Sequence, residues 1–311
     1  MIDLRGRHLI SPNDLDLREI SSIMSLAQSM QQNLSSYASL CRGKILATLF
    51  YEPSTRTKLS FESAMLRMGG NILGFSDAST TAVSKGESIA DTIRVLDSYA
   101  DIVVMRHPKE GAPKLAAQYS RVPLINGGDG GHQHPTQTLT DLLTIHMYLG
   151  RTTHLKVAFC GDLKYGRTVH SLIETLARYP GATFYLISPE ELRLPPRLKE
   201  HLEQHSDCAL IECRRMEEAL PAVDILYMTR IQKERFFNEA DYLRLKNSYV
   251  LDSEKLAQAK AGMLVMHPLP RVNEIAYEID ADPRAVYFRQ AELGVYARMS
   301  LMAHLLGVDG L

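Results

Sequence analysis

Short apolar runs alternate with longer amphipathic stretches along most of this chain, and this alternation limits the fold more than any other feature. Runs rich in Ile, Val, Leu and Phe are typical of buried strands, and apolar residues at helical spacing lie between them. Strands separated by helices pair in parallel with right-handed crossovers. Strands are predicted at 45–50, 71–76, 101–105, 122–125, 155–161, 182–188, 209–212, 223–228 and 263–266, and helices at 56–68, 88–98, 135–148 and 167–178.

The 311-residue length predicts two domains, since single cores rarely grow that large. A polar, glycine-rich segment, NGGDGGHQH at 126–134, lies between the two groups of strands and marks the expected boundary. The predicted fold class is α/β, with two doubly wound parallel-sheet domains and the active site in the cleft between them. The domains are expected at 1–134 and 135–290, with a C-terminal helix, 291–311, packing back on the first.

Composition excludes several classes of protein. The 35 basic and 36 acidic residues give a net charge of −1, so no nucleic acid is expected as a partner. No apolar stretch reaches the roughly 20 residues that cross a bilayer, and the start resembles neither a signal nor a transit peptide, so a cytoplasmic location is expected. The scattered cysteines, Cys41, Cys160, Cys208 and Cys213, predict reduced thiols and no zinc site in this chain.

Ser54, Thr55, Arg56 and Thr57 follow the first predicted strand and open a helix. Unpaired backbone N–H groups and the positive end of the helix dipole face outward from a helix start. The hydroxyls and the guanidinium add donors that suit a phosphate. The segment is therefore a candidate anion site, with an ordinary N-cap followed by a surface arginine as the alternative.

Two further motifs place arginine or histidine beside predicted elements. Arg106 and His107 follow the strand 101–105, where open α/β sheets hold ligand groups, although a salt-bridged arginine and a hydrogen-bonded histidine would also explain them. His132 and His134 precede the helix at 135–148. A histidine that polarises a carbonyl is favoured over a pair of metal ligands.

The segment GDLKYGRT at 161–168 nearly matches the phosphate-binding loop GxxxxGK[ST]. Arg167 stands where that loop has lysine, and a planar guanidinium does not replace a compact ammonium group. A GxGxxG pattern is absent as well. Arg167, at the start of a helix, is therefore predicted to bind a carboxylate, with a nucleotide site as the less favoured alternative.

Two more segments follow late strands. Arg230 and Gln232 come after the strand 223–228, where a solvated helix start is the alternative. HPLPR at 267–271 follows the strand 263–266. Its two prolines fix a rigid turn whose backbone carbonyls can be aimed at a ligand, and either X-Pro bond is a candidate for the cis form.

Together these segments resemble the aspartate/ornithine carbamoyltransferase family, and within it the branch that uses aspartate. The resemblance runs in order through nearly the whole chain, in FYEPSTRTKLSFE, SKGES, MRHP, HQHPTQTLTDLLTI, GDLKYGRTVHSL, YMTRIQKER and MHPLPR. It implies transfer of the carbamoyl group of carbamoyl phosphate to the amino group of L-aspartate, an early step of pyrimidine biosynthesis. No metal or cofactor is implied, because the amine attacks an already activated mixed anhydride.

The resemblance also implies a role for individual residues. Thr57, Arg106 and His134 would stabilise the oxyanion of the tetrahedral intermediate, and the backbone carbonyl of Leu269 would position the amine. The implied catalytic residues are Arg56, Thr57, Lys85, Arg106 and His134; those implied to bind carbamoyl phosphate are Ser54, Thr55, Arg56, Thr57, Arg106, His134, Gln137, Leu269 and Pro270; and those implied to bind aspartate are Lys85, Arg167, Arg230 and Gln232.

Partners are implied in the same way. Lys85 would reach from a loop into the active site of a neighbouring subunit, so a homotrimer with shared active sites is expected. The chain also resembles catalytic chains that associate with a separate zinc-containing regulatory chain.

Two departures from the family pattern concern the surroundings of the site. The loop before Lys85 lacks the family's usual serine, for which Thr81 or Ser84 could substitute, and Leu293 stands where the family commonly has Asn. An ornithine-specific relative would carry a His-Cys-Leu-Pro turn, with cysteine where this chain has Pro268. A catalytically silent homologue and a phosphate-loop NTPase are the remaining alternatives.

Overall fold

A computed structural model describes residues 2–77, 82–231 and 249–308. Within these ranges the chain forms nine strands and nine α-helices, and every strand pairs in parallel with its neighbours. The predicted fold class, two parallel-sheet α/β domains, is confirmed. Short 3-10 helices lie at Pro12–Asp14, Leu34–Tyr37, Ala82–Lys85, Glu190–Leu192, Met216–Glu218 and Tyr277–Ala281.

The chain divides into two compact units, Met1–Tyr148 with Glu292–Leu311, and Leu149–Ala291. This division differs from the boundary that the sequence suggested at residue 134. The glycine-rich segment is not a linker, because its first residues, 126–129, belong to a fully buried strand of the first sheet. The helix that follows at Pro135–Leu149 is buried along most of its length and groups with the first unit.

The first unit contains a four-stranded sheet of order β2-β1-β3-β4. Its two central strands, β1 and β3, are largely buried because helices cover a parallel sheet on both faces, whereas the edge strand β2 is mostly exposed. The strands are β1 Ile45–Phe50, β2 Asn71–Phe75, β3 Ile102–His107 and β4 Leu124–Asp129, and the helices are α1 Leu17–Gln32, α2 Thr55–Arg67, α3 Ile89–Leu96, α4 Ala112–Ala117 and α5 Pro135–Leu149.

The second unit contains a five-stranded sheet of order β7-β6-β5-β8-β9. On its central strand, the Phe159 ring packs 5.9 Å from Phe184 on one neighbour and 5.6 Å from Tyr227 on the other. The strands are β5 Lys156–Cys160, β6 Thr183–Ile187, β7 Ala209–Cys213, β8 Ile225–Met228 and β9 Leu264–Met266, and the helices are α6 Arg167–Leu176, α7 Pro196–His205, α8 Ser253–Leu256 and α9 Tyr287–Leu306, which continues into the first unit.

The C-terminal part of α9 completes the first unit. Ser300 Oγ donates to the carbonyl of Ile23 at 2.8 Å, and Ser22 Oγ lies 3.0 Å from His304 Nε2. The Gly6 N–H also bonds to the carbonyl of Leu305 at 3.0 Å. Residues from both ends of the chain therefore build one core.

Each sheet has a topological switch point, where the connections that follow two neighbouring central strands run in opposite directions. In the first sheet this point lies between β1 and β3, and in the second between β5 and β8. Ligands of open α/β sheets bind at the carboxyl ends of the strands at such a point. The segments after β1, β3, β5 and β8 are therefore where functional side chains are expected.

Two expectations from composition concern the cysteines and membrane-spanning helices. The four cysteines are free, with Cys208 partly exposed and the other three buried. Among the described residues, no helix is long and apolar enough to cross a bilayer.

A substitution at Gly161 tests how closely the backbone at the end of β5 approaches Thr229. Its φ is +123°, and a Cβ there would lie 2.3 Å from the carbonyl oxygen of Thr229. We expect Gly161→Ala to lower the free energy of unfolding by at least about 1–3 kcal/mol, because strained backbone and a backbone clash coincide. Urea unfolding would measure the change. The control is Gly262→Ala, at a glycine with nothing within 4 Å and no positive φ. Equal stability of the two variants would contradict the strain and clash expected at Gly161.

Candidate active site

The first candidate residues lie where β1 leads into α2. Ser54 is the N-cap of this 13-residue helix, and its side chain makes no capping hydrogen bond. Thr57, in the first turn, is buried, whereas Arg56 is exposed. The helix start therefore presents backbone N–H groups, hydroxyls and a guanidinium at the carboxyl end of β1, as an anion site requires.

Arg106 lies at the end of β3, directly beside β1. Its Nη2 is 2.8 Å from Glu52 Oε1, and its Nη1 donates to the carbonyl of Gly127 at 3.2 Å. The buried Nε has no hydrogen-bond acceptor among the described residues. The sequence left a ligand-binding arginine and a salt-bridged arginine as alternatives. Arg106 forms the salt bridge, but its Nε donor lacks an acceptor in the described part of the chain.

Positive charges are held close together at this switch point. Burial lowers the pKa of Arg106, Glu52 acts in the opposite direction, and the neighbouring charge of Arg56 lowers the pKa further. Because a guanidinium stays protonated, the two arginines repel each other, and a bound anion would relieve that repulsion. This local electrostatic field favours a multiply charged anion such as a phosphate ester.

A buried carboxylate shapes the loop between β4 and α5. Asp129 Oδ1 accepts hydrogen bonds from the Asn126 side chain and the Gln133 N–H, both at 3.0 Å. Its Oδ2 accepts from the Gly111 N–H at 2.9 Å and lies 3.2 Å from His132 Nδ1. The sequence analysis missed Asp129, although a carboxylate beside glycines often marks a turn that its side chain stabilises.

His134 and Gln137 flank the start of α5. His134 is buried, with 5% of its surface exposed, and its carbonyl accepts from the Gln137 N–H at 3.0 Å. His132, in contrast, is exposed and lies beside Asp129. No group of three or more His, Cys, Asp or Glu side chains in the described part of the chain could hold a metal ion.

His107 has a structural explanation. Its Nδ1 accepts from the Lys109 N–H at 2.9 Å, and its ring packs 4.8 Å from the ring of Tyr51. Burial lowers its pKa. Of the alternatives considered for this position, the hydrogen-bonded histidine is therefore the one observed.

Lys85 ends the 3-10 helix Ala82–Lys85, and its side chain is exposed. Of the two hydroxyls considered as substitutes for the family's serine, Ser84 is exposed and Thr81 lies outside the described residues. Leu293, the other departure, is fully buried.

In the second unit, the loop after β5 is fixed to the end of β8. The Asp162 N–H donates to Thr229 Oγ1 at 3.0 Å, and the Thr229 N–H donates to the Cys160 carbonyl at 2.9 Å. Gly166 is the N-cap of α6, and Arg167 is its first residue. Because β5 and β8 are neighbours, Arg167 and Arg230 come to the same edge of the sheet.

Both arginines are half-buried, and two guanidinium forks at one sheet edge can bind carboxylates in bidentate fashion. Gln232, the third residue predicted to bind aspartate, lies outside the described residues.

The turn after β9 is held by His267. Its Nδ1 accepts from the Leu269 N–H at 2.8 Å, so the ring carries its proton on Nε2, which lies 2.7 Å from Glu274 Oε1. Leu269 has a φ of +55°, and the Leu269-Pro270 bond is cis. The hydrogen bond to His267 orients the Leu269 backbone, whose carbonyl the family resemblance implies to position the amine.

Glu274 supports this turn from a buried position. Its Oε2 accepts from the N–H groups of Val272 at 3.0 Å and Asn273 at 3.1 Å. Burial alone would raise the pKa of Glu274, but the hydrogen bonds that it accepts from His267 and from backbone N–H groups outweigh burial, so the pKa lies below its ordinary value. Sequence analysis did not find Glu274, because a single glutamate after a proline turn carries no distinctive pattern.

Glu274→Gln tests this arrangement. The lowered pKa means that ionised Glu274 stabilises the fold above its unfolded pKa of about 4.3, and that this stabilisation is lost as pH falls through the folded value. At pH 7 we expect the free energy of unfolding of the variant to be about 1–3 kcal/mol lower than that of the unsubstituted chain. The difference should shrink below pH ~4.3.

Urea unfolding across this pH range would measure the difference, with Glu254→Gln, at an exposed glutamate, as control. A difference that stays constant with pH would contradict a role for the ionised carboxylate.

Comparison with known proteins divides the chain near the same point, between residues 147 and 153. Residues 7–147 match the family model of the aspartate/ornithine carbamoyltransferase carbamoyl-P binding domain, and residues 153–305 match that of the Asp/Orn binding domain. The chain is 62% identical over 307 residues, 99% of each chain, to the aspartate carbamoyltransferase catalytic subunit of Alkaliphilus metalliredigens. It is 59% identical over 306 residues to that of Clostridium kluyveri, covering 98% of this chain and 100% of the relative.

Two solved structures are also similar. The catalytic subunit of M. jannaschii aspartate transcarbamoylase superposes with a TM-score of 0.91 at 48% identity, covering 97% of this chain and 98% of the other. Trypanosoma cruzi aspartate transcarbamoylase, in complex with N-(phosphonacetyl)-L-aspartic acid, superposes with a TM-score of 0.92 at 38% identity and covers 97% of each chain. The chain therefore belongs to the aspartate/ornithine carbamoyltransferase family.

Proposed function

We propose that the chain is an aspartate carbamoyltransferase, which transfers the carbamoyl group of carbamoyl phosphate to the amino group of L-aspartate and releases phosphate. The observation that carries the proposal is the pair of arginines at each switch point, Arg56 with Arg106 and Arg167 with Arg230. Both substrates carry several negative charges, so each needs cationic partners. The relatives named aspartate carbamoyltransferase support the choice of reaction.

In the proposed reaction, the aspartate amine attacks the carbamoyl carbon and a tetrahedral intermediate forms. Thr57, Arg106 and His134 stabilise its oxyanion, and one such donor contributes about 3–4 kcal/mol. The Leu269 carbonyl accepts from the amine and aims it at the carbon. Collapse of the intermediate breaks the bond to phosphate, which accepts the amine proton as it leaves. Holding the two substrates together contributes on the order of 7–11 kcal/mol.

The remaining residues bind the ground state. Ser54, Thr55 and Arg56 hold the phosphate group. Gln137 holds the carbamoyl end, and Pro270 holds the turn that adjoins it. Arg167, Arg230 and Gln232 bind the two carboxylates of aspartate. Ornithine would instead require an acidic partner for its side-chain amino group, and the candidate positions in this chain are cationic or amide.

The proposed assembly is a homotrimer in which Lys85 completes the active site of a neighbouring subunit. Its exposed side chain is consistent with a contact outside its own chain. A separate zinc-containing regulatory chain is the further proposed partner; the relatives' designation as catalytic subunits supports a second kind of subunit. The proposed setting is the cytoplasm, where the reaction would supply pyrimidine biosynthesis.

Carbamoyl transfer measured with aspartate and ornithine in parallel tests the reaction. We expect product with aspartate only. In Arg230→Ala, the KM for aspartate should rise about 10- to 100-fold, because a charged hydrogen-bond partner is lost, while the affinity for carbamoyl phosphate stays nearly unchanged.

The matched control is Arg215→Ala, at an exposed arginine of the same unit that is paired with Glu218. Its kinetics should equal those of the unsubstituted chain. Preference for ornithine, or no turnover with either amine, would refute the proposed reaction, and equal losses of affinity for both substrates would refute the role of Arg230.

Mixing two inactive variants tests the shared site. Arg56→Ala and Lys85→Ala should each lack most activity while remaining folded. If Lys85 serves a neighbouring subunit, random exchange of the two variants restores about a quarter of the sites, because an intact site needs one particular parent on each side. Steady-state activity after verified subunit exchange would measure this recovery.

A mixture of Arg56→Ala with Arg106→Ala is the control, since the proposal places both residues in the same subunit's part of the site and no intact site can form. Failure of the first mixture to recover activity would mean that each site is built within a single chain.

A further inference from the structure

Behind Gln137 lies a buried pair of opposite charges that the proposed reaction does not use. Gln137 Nε2 donates to Asp141 Oδ1 at 2.7 Å, one helical turn further along α5. Asp141 is fully buried and interacts electrostatically with Arg298 of α9, which is 5% exposed. Asp141 and the distant Arg298 thus connect the first unit's interior to Gln137, a residue of the proposed carbamoyl phosphate site.

Arg298 is held firmly from several sides. Its Nη1 donates to Ser60 Oγ at 3.1 Å and to the Gly294 carbonyl at 2.9 Å, and its guanidinium carbon lies 5.1 Å from the centre of the Phe61 ring. A Cβ on Gly294 would lie 2.5 Å from Nη1, so this glycine leaves the space that the guanidinium occupies. Arg298 therefore has little freedom to move away from Asp141.

The buried guanidinium of Arg298 favours an anionic partner, and Asp141 supplies the carboxylate. Burial lowers the pKa of Arg298 to about 10, and the charge of Asp141 acts in the opposite direction. The guanidinium is therefore still protonated at neutral pH, and a buried cation requires an anionic partner nearby.

An ionised carboxylate only accepts hydrogen bonds, and this property fixes the Gln137 amide. Of the two ends of that amide, only the NH2 group can donate to Asp141. The oxygen of the half-buried Gln137 must then face away from Asp141. A neutral partner at 141, such as asparagine, could donate or accept and would allow the amide to turn over.

We propose that Arg298 and Asp141 are positioning residues that hold the Gln137 amide oxygen toward the substrate, where it selects a carbamoyl phosphate over acyl phosphates that lack an NH2 group. This inference rests on the proposed function. The carbamoyl NH2 donates to the Gln137 oxygen, and the methyl group of acetyl phosphate cannot. A turned amide would present a donor to the substrate's donor and remove the selection.

The test compares carbamoyl phosphate with acetyl phosphate as donors to aspartate, following N-carbamoyl- and N-acetylaspartate by chromatography. The measured quantity is the ratio of the two kcat/KM values. In Asp141→Asn combined with Arg298→Met, which removes both buried charges together, we expect this ratio to fall about tenfold, equivalent to about 1.4 kcal/mol. Gln137→Met, which removes the amide from a half-buried position, should lower the ratio by a similar factor.

Combining all three substitutions should lower the ratio no further than Gln137→Met alone, since the buried pair acts through that amide. Ser300→Ala is the control: it removes a buried hydrogen bond from the same helix as Arg298 and should leave the ratio unchanged.

An unaltered ratio in Gln137→Met overturns the inference even if the buried variants fail to fold. An unaltered ratio in the folded charge-neutral variant also overturns it. No transfer by the unsubstituted chain from carbamoyl phosphate to aspartate would instead refute the proposed function.

Discussion

Parallel pairing on both sides of a central strand is the constraint on which the candidate site depends. Parallel strands end at the same edge of a sheet, and the chain must leave β1 and β3, or β5 and β8, in opposite directions to cover both faces. The space left between these exits receives the starts of α2 and α6. Residues that are about 50 to 60 positions apart in sequence, such as Arg56 and Arg106 or Arg167 and Arg230, therefore reach one edge without any long loop.

Concentrating cations at these edges brings like charges together, which raises their mutual repulsion. Glu52 pairs with Arg106, while the positive end of the α2 dipole adds to the local field. The deeper Asp141 and Arg298 are balanced against each other instead. Cations thus lie at the two sheet edges, whereas a cation and a carboxylate lie together within the core.

Much of the fold and the exposed layer of the site was predictable from local sequence. Buried parallel strands are continuous apolar runs, and anion-binding side chains follow them at helix starts, so the segment 54–57 and Arg106 stood out. The supporting layer did not, because Asp129, Glu274 and the Asp141–Arg298 pair make contacts that no periodicity records. The division into compact units differs from the expected boundary for a related reason: four glycines in 126–134 suggest a linker, whereas the burial of 126–129 is decided by tertiary pairing.

The first unit is discontinuous in sequence, since its core includes residues from 292 onward. During synthesis on a ribosome, all of the second unit emerges before the last turns of α9, so the second unit can finish folding first even though it is encoded later. Until then, the α1 surface that receives Ser300 and His304 stays uncovered. Loss of a short stretch at the C-terminus would consequently damage the core of the first unit and spare the second unit. The linear order of the gene would suggest the reverse, because the second unit lies nearer to the C-terminus in sequence.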